Sequence, residues 1–325
     1  MSPHRFQKIL SFFLLSAALI SLSACSFPKK RPTDQSSGGI ELLTIATADS
    51  GGTMYPVGKA IASALEHDHL KCNLSASTGS AMNIRSLIGG EVDLALVSGD
   101  IALAARESGT PGTEKLSAIS AVFFSQSNWL APVESDAVYV HDLIGKQLGI
   151  GPEDSSTELA AQTALRSIGL DEQTATLVNC GLGKGTEAVL RGELDAIHGF
   201  SGPPIGNLGQ LAQERPCRVL KYTPEELTSI LSGSTIYLPA TLHAGTYAGQ
   251  TEPVDSFGVK CLLCVDASMD EKLVHDLTAA LWENREALRQ AHPALTDFTD
   301  PSFLFENLPI PLHPGAERFC AEMFK

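Results

Sequence analysis

Short apolar runs alternate with amphipathic helical patterns along most of the chain, and this alternation is typical of α/β proteins. The first strand-like run spans Leu42 to Ala46. Apolar residues then recur at the i, i+3, i+4, i+7 and i+8 positions of a helix: Val57, Ala60, Ile61, Ala64 and Leu65. Pro56 suits the first turn of this helix, because a proline there loses no hydrogen bond. The stretch therefore predicts a strand, a Gly-rich joint and a helix.

The same order returns in the middle of the chain. Gln147 to Ile150 is strand-like, and a helical stripe of Ala161, Ala164, Leu165 and Ile168 follows it. Ser155 with Glu158 three residues later is the pattern of a capping box, in which each side chain bonds the other's backbone N–H. Gly169 is placed to end the helix.

Two further segments resemble each other closely. "NIRSLIGGEVDLALVSGD" and "TEAVLRGELDAIHGFSGP" both read as helix, Gly-Glu-x-Asp, buried strand and Ser-Gly loop. The motif occupies residues 90–93 in the first segment and 192–195 in the second. This repetition predicts two similarly built α/β lobes. Ligands bind outside the carboxyl ends of the strands in sheets of this kind, so a cleft is expected between the lobes.

Five loops at the predicted strand ends are rich in Ser, Thr and Gly. They are Ser50–Tyr55, Ser77–Ser80, Ser98–Asp100, Asp154–Thr157 and Ser201–Pro203. Several of them open a helix, where free N–H groups and the helix dipole favour an anion. We expect Thr78 or Ser80 to cap one such helix, with Ile84, Leu87 and Ile88 as its buried stripe. The loops together predict a seat for a carboxylate, while each loop alone also fits an ordinary turn.

Several nearby residues have two readings. Arg85 lies on a helix beside the predicted cleft and either reaches the ligand or braces its lobe. Asp100 either accepts a ligand ammonium or caps the following helix, and the capping role is the one we favour. The His-Asp-His stretch at 67–69 is interpreted as a solvated helix end rather than a metal site.

The beginning of the chain reads as an export signal. Arg5 and Lys8 precede the apolar run "ILSFFLLSAALISL", and "LSAC" closes it at Cys25. The ending resembles a bacterial lipobox, which predicts lipidation of Cys25 after removal of the preceding residues. A plain cleaved signal with an incidental cysteine is the alternative. The Pro/Ser/Gly-rich residues 26–39 are expected to form a flexible tether.

The charge of the chain excludes some classes of partner. It carries 23 basic and 37 acidic residues, a net charge of −14. Removal of residues 1–24 takes away two basic and no acidic residues, which gives −16. Such a surface argues against nucleic acid and anionic lipid as partners. It leaves a small anionic ligand open, because salt screens charges beyond about 10 Å.

The cysteines do not indicate a metal centre. An exported chain can oxidise the six after Cys25, so up to three disulfides are possible, with the pairing open: Cys72, Cys180, Cys217, Cys261, Cys264 and Cys320. "CLLC" has metal-like spacing but sits in an apolar strand pattern, where i and i+3 point to opposite faces. We expect neither a metal nor a cofactor.

No motif for catalysis is complete. "CGLGKGTEAVL" has its hydroxyl one position late for a phosphate loop. "GFSGPP" lacks the glycine spacing of a nucleophile elbow. His198 is the one histidine near a predicted cleft loop. The chain is therefore predicted to be a binding protein and not an enzyme.

Several segments together resemble the TAXI family, the solute-binding subunits of TRAP-type transporters. The resemblance rests on "TADSGGTMYPVGKAIA", "STGSAMNIRSLIGGEVDLALVSGD", "LIGKQLGIGPEDSSTELAAQTAL" and "IYLPATLHAGTYAGQTEPVDSFGV", and on the closing "AHPALTDF" and "PLHPGAERF". It implies a two-lobed type II periplasmic-binding fold that closes on small organic acids such as glutamate. It also implies a periplasmic location, with delivery of the solute to a TRAP-type permease in the membrane.

The patterns and the resemblance predict four parts of the chain. Residues 1–25 form the lipoprotein signal, 26–39 the tether, 40–133 with 223–325 lobe I, and 134–222 lobe II. The predicted ligand contacts are Ser50, Gly51, Gly52, Thr53, Met54, Tyr55, Ser77, Thr78, Gly79, Ser80, Asn83, Ser98, Gly99, Asp100, Ser155, Ser156, Thr157, Ser201 and Gly202. Open alternatives are a sensor for a membrane kinase, a periplasmic hydrolase using Ser201 or Ser50, and a surface antigen with an emptied cleft.

Overall fold

The computed structural model describes residues 41–66 and 70–324. The predicted signal, Cys25, the tether and the 67–69 stretch lie outside these residues. The strands are β1 (Glu41–Ala46), β2 (Leu70–Ser75), β3 (Leu94–Ser98), β4 (Leu116–Pro132), β5 (Gln147–Gly149), β6 (Thr176–Val178), β7 (Ala196–Ser201), β8 (Cys217–Val219), β9 (Leu238–Leu242) and β10 (Val254–Asp266). The α-helices are α1 (Met54–Leu65), α2 (Ser80–Ile88), α3 (Gly99–Glu107), α4 (Ser156–Ser167), α5 (Leu182–Arg191), α6 (Gly206–Glu214), α7 (Pro224–Ser232), α8 (Glu271–Glu283), α9 (Arg285–Ala291), α10 (Pro301–Phe305) and α11 (Pro314–Met323).

The described strands form one mixed sheet in the order β2-β1-β3-β10-β4-β7-β5-β6, with β8 on β4 and β9 on β10. Strands β1, β2 and β3 are parallel and form what we call the first strand group. Strands β5, β6 and β7 are also parallel and form the second strand group. The long strands β4 and β10 join the groups through antiparallel ladders. Because β3 and β4 both run against β10 while β7 runs against β4, the two groups point in opposite directions.

Helices cover both faces of each strand group. In the first group, Val57 and Ile61 of α1 pack in one core with Leu277 of α8, and Ile84 and Leu87 of α2 pack on the opposite face. The predicted stripes are confirmed: Ala64 and Leu65 are also buried, whereas Ala60 and Ile88 are half-buried. These alternating apolar faces are what hold the helices against the sheet.

The second group is built in the same way. Ala161, Ala164 and Leu165 of α4 are buried as predicted, and Gly169 ends the helix with a φ of 82°. Helix α7 packs in this same core through Ile230, and Tyr237 joins it. This packing favours placing residues 223–242 beside the second group, rather than in lobe I as expected from the sequence.

The repeated Gly-Glu-x-Asp motif performs the same task in both groups. The Asp93 carboxylate accepts from Thr44 N at 2.8 Å, and Asp93 N donates to Thr44 O at 3.0 Å. The Asp195 carboxylate accepts from Gln147 N at 2.8 Å, and Asp195 N donates to Gln147 O at 2.9 Å. The aspartate of each motif therefore makes two hydrogen bonds to the neighbouring strand of its own group, which confirms the similarity of the two segments.

In the described part of the chain, none of the helices combines the length and apolar character needed to cross a membrane. Its six cysteines carry free thiols. No set of three or more His, Cys, Asp or Glu side chains in residues 41–66 and 70–324 is arranged to hold a metal ion.

Candidate functional site

The strand registers bring the carboxyl ends of the two groups face to face. Ser98, the last residue of β3, pairs with Cys261 of β10, and Cys261 pairs with Phe123 of β4. Ser201, the last residue of β7, pairs with Gln126 of β4. The two levels lie three positions apart on β4, which corresponds to about 10 Å along the strand. The loops that follow the two groups therefore open toward one another.

The loop between β1 and α1 reaches across this gap. The Asp49 carboxylate accepts from Gly51 N at 2.8 Å and shapes the turn. Thr53 precedes α1 and is buried, but its hydroxyl caps no N–H group of the helix. It instead donates to Gly202 O at 2.6 Å. This bond directly joins the first predicted loop to the last one.

The loop between β2 and α2 is stabilised by bonds within its own group. Ser77 Oγ accepts from Gly79 N at 2.9 Å and lies 2.6 Å from Asn83 Oδ1. Ser80 Oγ accepts from Ser98 N at 2.9 Å. The expectation that Thr78 or Ser80 caps α2 is wrong, because Gly79 precedes the helix with a φ of 135°, a conformation that a residue with a side chain rarely adopts.

Asp100 does not cap α3, contrary to the reading we favoured from sequence. It is the second residue of the helix, and its Oδ1 accepts from the N–H of Ile101, the next residue. Its carboxylate faces the second strand group, where Ser156 Oγ lies 2.9 Å from both oxygens and Tyr237 OH donates to Oδ2 at 3.1 Å. Asp100 is only 5% exposed.

The loop before α4 meets Asp100 from the other side. Ser155 caps α4 as predicted, since its Oγ accepts from Glu158 N at 3.1 Å. The second half of the expected capping box is shifted by one residue, because the Glu158 carboxylate accepts from Asp154 N. Ser156, the first residue of α4, also lies 2.9 Å from Ser98 Oγ. The carbonyl oxygen of Thr157 lies 3.1 Å from His198 Nδ1 on β7.

The loop after β7 packs tightly on the first strand group. A methyl group added to Gly202 would lie 2.6 Å from Ala294 Cβ and 2.8 Å from Phe123 Cδ2, so the close approach requires glycine. A second contact lies alongside, where Asn207 N donates to Gly51 O at 3.0 Å. Residues from both groups thus form one continuous contact, buried at Thr53 and Gly202 and half-buried at Gly51 and Asn207.

Ten of the predicted residues fall into two sets. The first set contacts residues of the other strand group: Gly51, Thr53, Ser98, Asp100, Ser156 and Gly202. The second set lines an open pocket of about 650 Å³ beside the ends of β1 and β2, together with Asp49 and Met82: Ser50, Ser77, Thr78 and Asn83. Arg85 reaches Asp154 across an exposed ion pair at 3.8 Å and makes no contact with the buried set among the described residues.

Two residues at the centre of the gap were missed from the sequence. Ser125 lies on β4 between the levels of Ser98 and Ser201, is 1% exposed, and its Oγ has no hydrogen-bond partner in the described structure. Tyr237 reaches Asp100 from the segment before β9. Ser125 begins the polar run Ser125–Asn128 inside a long buried strand, and this interruption of an apolar pattern was a signal in the sequence. Tyr237 lies beyond every predicted loop, and no local pattern marked it.

Comparison with known families now identifies the chain. The profile described as the NMT1-like family matches residues 45–323. The chain belongs to the NMT1-like family. The match covers every strand group, loop and helix described above except the first residues of β1 and the C-terminal end.

Solved structures share the fold of this NMT1-like chain. A protein from Bordetella bronchiseptica RB50 has 16% identity and a TM-score of 0.51, over 86% of this chain and 88% of that one. The ligand-binding component of an ABC-type import system from Staphylococcus aureus, with zinc bound, has 10% identity and a TM-score of 0.51, over 86% and 90%. The periplasmic aliphatic sulphonate binding protein SsuA from Escherichia coli has 17% identity and a TM-score of 0.46, over 80% and 83%. The first two likenesses confirm the predicted α/β fold class.

A buried network links the NMT1-like site to the crossing strand β4. His198 Nδ1 lies 3.1 Å from Thr157 O, and because a carbonyl can only accept, this nitrogen carries the proton. His198 Nε2 then accepts from Ser127 Oγ at 2.9 Å. Ser127 in turn accepts from Tyr222 OH at 2.9 Å, and Tyr222 accepts from Trp129 Nε1 at 3.0 Å. Burial lowers the pKa of His198 to about 3, so the ring is neutral.

The electrostatics of the NMT1-like site centre on Asp100. Burial raises the pKa of its carboxyl, and hydrogen bonds from Ser98, Ser156, Ile101 N and Tyr237 oppose that rise. No Lys, Arg or His in residues 41–66 and 70–324 forms an ion pair with it. The carboxylate is therefore held by neutral donors alone.

Proposed function

We propose that the chain is an extracytoplasmic solute-binding lipoprotein that captures a small organic acid. In this proposal Cys25 anchors it to the membrane, the tether spaces it from the surface, and the bound acid passes to a membrane permease. The protein makes no chemical change to its ligand and requires no cofactor.

The observation that carries the proposal is the convergence at the middle of β4. The loops before α1, α3 and α4 come from both strand groups and meet over about 10 Å of this strand. Helix N-terminal turns favour a negatively charged group. The unpartnered hydroxyl of Ser125 lies in the same gap, where a buried polar group without a partner is costly unless a ligand or water satisfies it.

The hydrolase alternative finds little support in the site. The described Ser–His pair is Ser127 with His198, and both side chains are at most 2% exposed within a core. A nucleophile must reach its substrate. Neither Ser201 nor Ser50 has a hydrogen bond to a histidine among the described residues, so neither forms a Ser–His pair there.

Delivery to a TRAP-type permease is supported by the resemblance of the quoted segments to the TAXI family. The name of the similar Staphylococcus aureus protein makes an ABC-type importer the second candidate. The genes beside this one separate the two, because a TRAP partner is a permease without an ATPase and an ABC partner includes one. A neighbouring sensor kinase with neither permease would indicate the sensing role.

Closure of two lobes is the mechanism we propose. Lobe I holds the first strand group and lobe II the second, with β4 and β10 joining them. A solute that touches both lobes favours the closed form by its difference in affinity for the two forms. The bonds Thr53–Gly202 and Gly51–Asn207 would then be part of the closed contact.

A thermal-shift screen of the purified chain against mono- and dicarboxylic acids tests the proposal. A true ligand at 100 times its dissociation constant adds about 2.7 kcal/mol of stability. Thr53→Val removes the hydroxyl at nearly constant volume and is expected to weaken binding about twofold to tenfold, whereas Thr53→Ser should retain it. Thr157→Ala tests the second group, and Thr251→Val is an exposed control. Unchanged affinity in both Thr53→Val and Thr157→Ala would show the site to lie elsewhere.

A further inference from the structure

The N-terminal turn of α4 already holds a negative charge supplied by the chain. Asp100 comes from α3 of the first strand group, and both of its oxygens lie 2.9 Å from the hydroxyl of Ser156, the first residue of α4. Helix α4 is 12 residues long. The N-terminus of such a helix favours an anion, and here the anion is a side chain from the facing group.

Three donor groups of the protein already bind this carboxylate, and they leave few of its roughly four acceptor positions open. It accepts from Ile101 N at 2.8 Å, from Tyr237 OH at 3.1 Å and from Ser156. A carboxylate poised for a ligand ammonium would keep free acceptor positions facing the gap. The carboxylate oxygens of Asp100 instead accept hydrogen bonds from donors in both strand groups. Asp100 therefore behaves as the bound anion rather than as the receptor for a cation.

The surroundings of Asp100 supply no compensating positive charge. The elements packed against it contribute Ser98 at the end of β3, Ser156 on α4, Tyr237 before β9 and Cys261 on β10. All four are neutral near pH 7, since burial raises the pKa of Tyr237 and of Cys261. A second negative group brought to this point would face Asp100 at short range in a poorly solvated site, where like charges repel strongly.

We propose that Asp100 sets the charge selectivity of the cleft by occupying the α4 end as a built-in anion. The cleft then takes ligands with one carboxylate, held over β4 by the loop before α1 and the Ser125 hydroxyl, and disfavours ligands with a second carboxylate directed at α4. This inference rests on the proposed function, because it assumes that the gap over β4 is the ligand site.

Two acids of equal length test this selectivity. Glutaramate carries one carboxylate and one amide, whereas glutarate carries two carboxylates. Calorimetric titration of the purified chain should show tighter binding of glutaramate, by about tenfold or more. Asp100→Asn keeps the shape and removes the charge, so it should reduce this ratio by about tenfold or more. Glu153→Gln removes one exposed negative charge from the loop before α4 and should leave the ratio unchanged.

The outcomes separate the inference from the function on which it rests. An unchanged ratio in Asp100→Asn, with both acids still bound, overturns the inference and leaves the proposed function intact. Weaker binding of both acids to Asp100→Asn, with its thermal unfolding unchanged, makes Asp100 a ligand contact and also overturns it. If neither acid binds either protein, the carboxylate-binding function fails and the inference fails with it. Asp100→Ser provides a second neutral variant should Asp100→Asn fold poorly.

Discussion

Acidification should unfold this protein partly through His198. The ring is fully buried, its Nδ1 proton is bonded to Thr157 O, and its Nε2 accepts from Ser127 Oγ. A second proton would have to sit on Nε2, where it replaces an acceptor with a donor facing Ser127. Burial accordingly lowers the pKa of His198 from 6.5 to about 3.

The sign of the effect follows from this lowered pKa. In the unfolded chain the imidazole takes up a proton near pH 6.5, whereas in the folded chain it stays neutral until about pH 3. The stabilising contribution is therefore fully present above pH 6.5 and is lost as the pH falls toward 3. At about 1.4 kcal/mol per pH unit, the loss between pH 6.5 and pH 4 is about 3 kcal/mol.

Urea unfolding of the wild type and of His198→Gln at pH 7, 5.5 and 4 measures this term. Glutamine does not titrate but can still donate to Thr157 O and accept from Ser127. Other ionisable groups are common to both proteins, so their contribution cancels in the difference. The free energy of unfolding of the wild type should fall by about 3 kcal/mol more than that of the variant. Parallel pH profiles for the two proteins would refute the reasoning.

A substitution at Gly202 and a thiol reaction at β10 test how tightly the two strand groups are packed. Gly202→Ala should lower the free energy of unfolding by about 1–3 kcal/mol, because the new methyl group overlaps Ala294. Gly181→Ala is the control, since a methyl group there meets open space and should cost far less. Urea unfolding compares the two variants, and equal stabilities would contradict the tight approach at Gly202. Cys261 and Cys264 are fully buried, and burial raises the pKa of both thiols. A thiol reagent should therefore modify them only after the protein unfolds. Rapid modification of the native protein would show that β10 is accessible.

Local patterns predicted the parts of the fold that depend on short-range chemistry. The stripes of α1, α2 and α4, the Ser155 cap and the Gly169 stop all follow from the spacing of a few neighbouring residues. The two Gly-Glu-x-Asp motifs were recognisable as equivalent for the same reason. The grouping of the Ser/Thr/Gly loops followed from the rule that ligand loops extend from strand carboxyl ends.

The centre of the site depends on contacts that sequence spacing does not encode. Whether Ser125 faces the gap is decided by its register against Val259 of β10 and by the level at which Ser201 pairs. Asp100 and Tyr237 are 137 residues apart. The sequence around Asp100 is typical of a residue that caps a helix. In the folded protein its carboxylate instead bonds to Ser156, because this residue of the facing group offers it a buried donor.

The matching bonds at Asp93 and Asp195 secure the two strand groups independently of each other. In each group an aspartate that follows a left-handed glycine ties its helix–strand unit to the neighbouring strand of the same group. The corner just beyond each strand differs, with Ser-Gly-Asp in one group and Ser-Gly-Pro in the other. A substitution at either corner therefore leaves in place the bonds that hold both strand groups together.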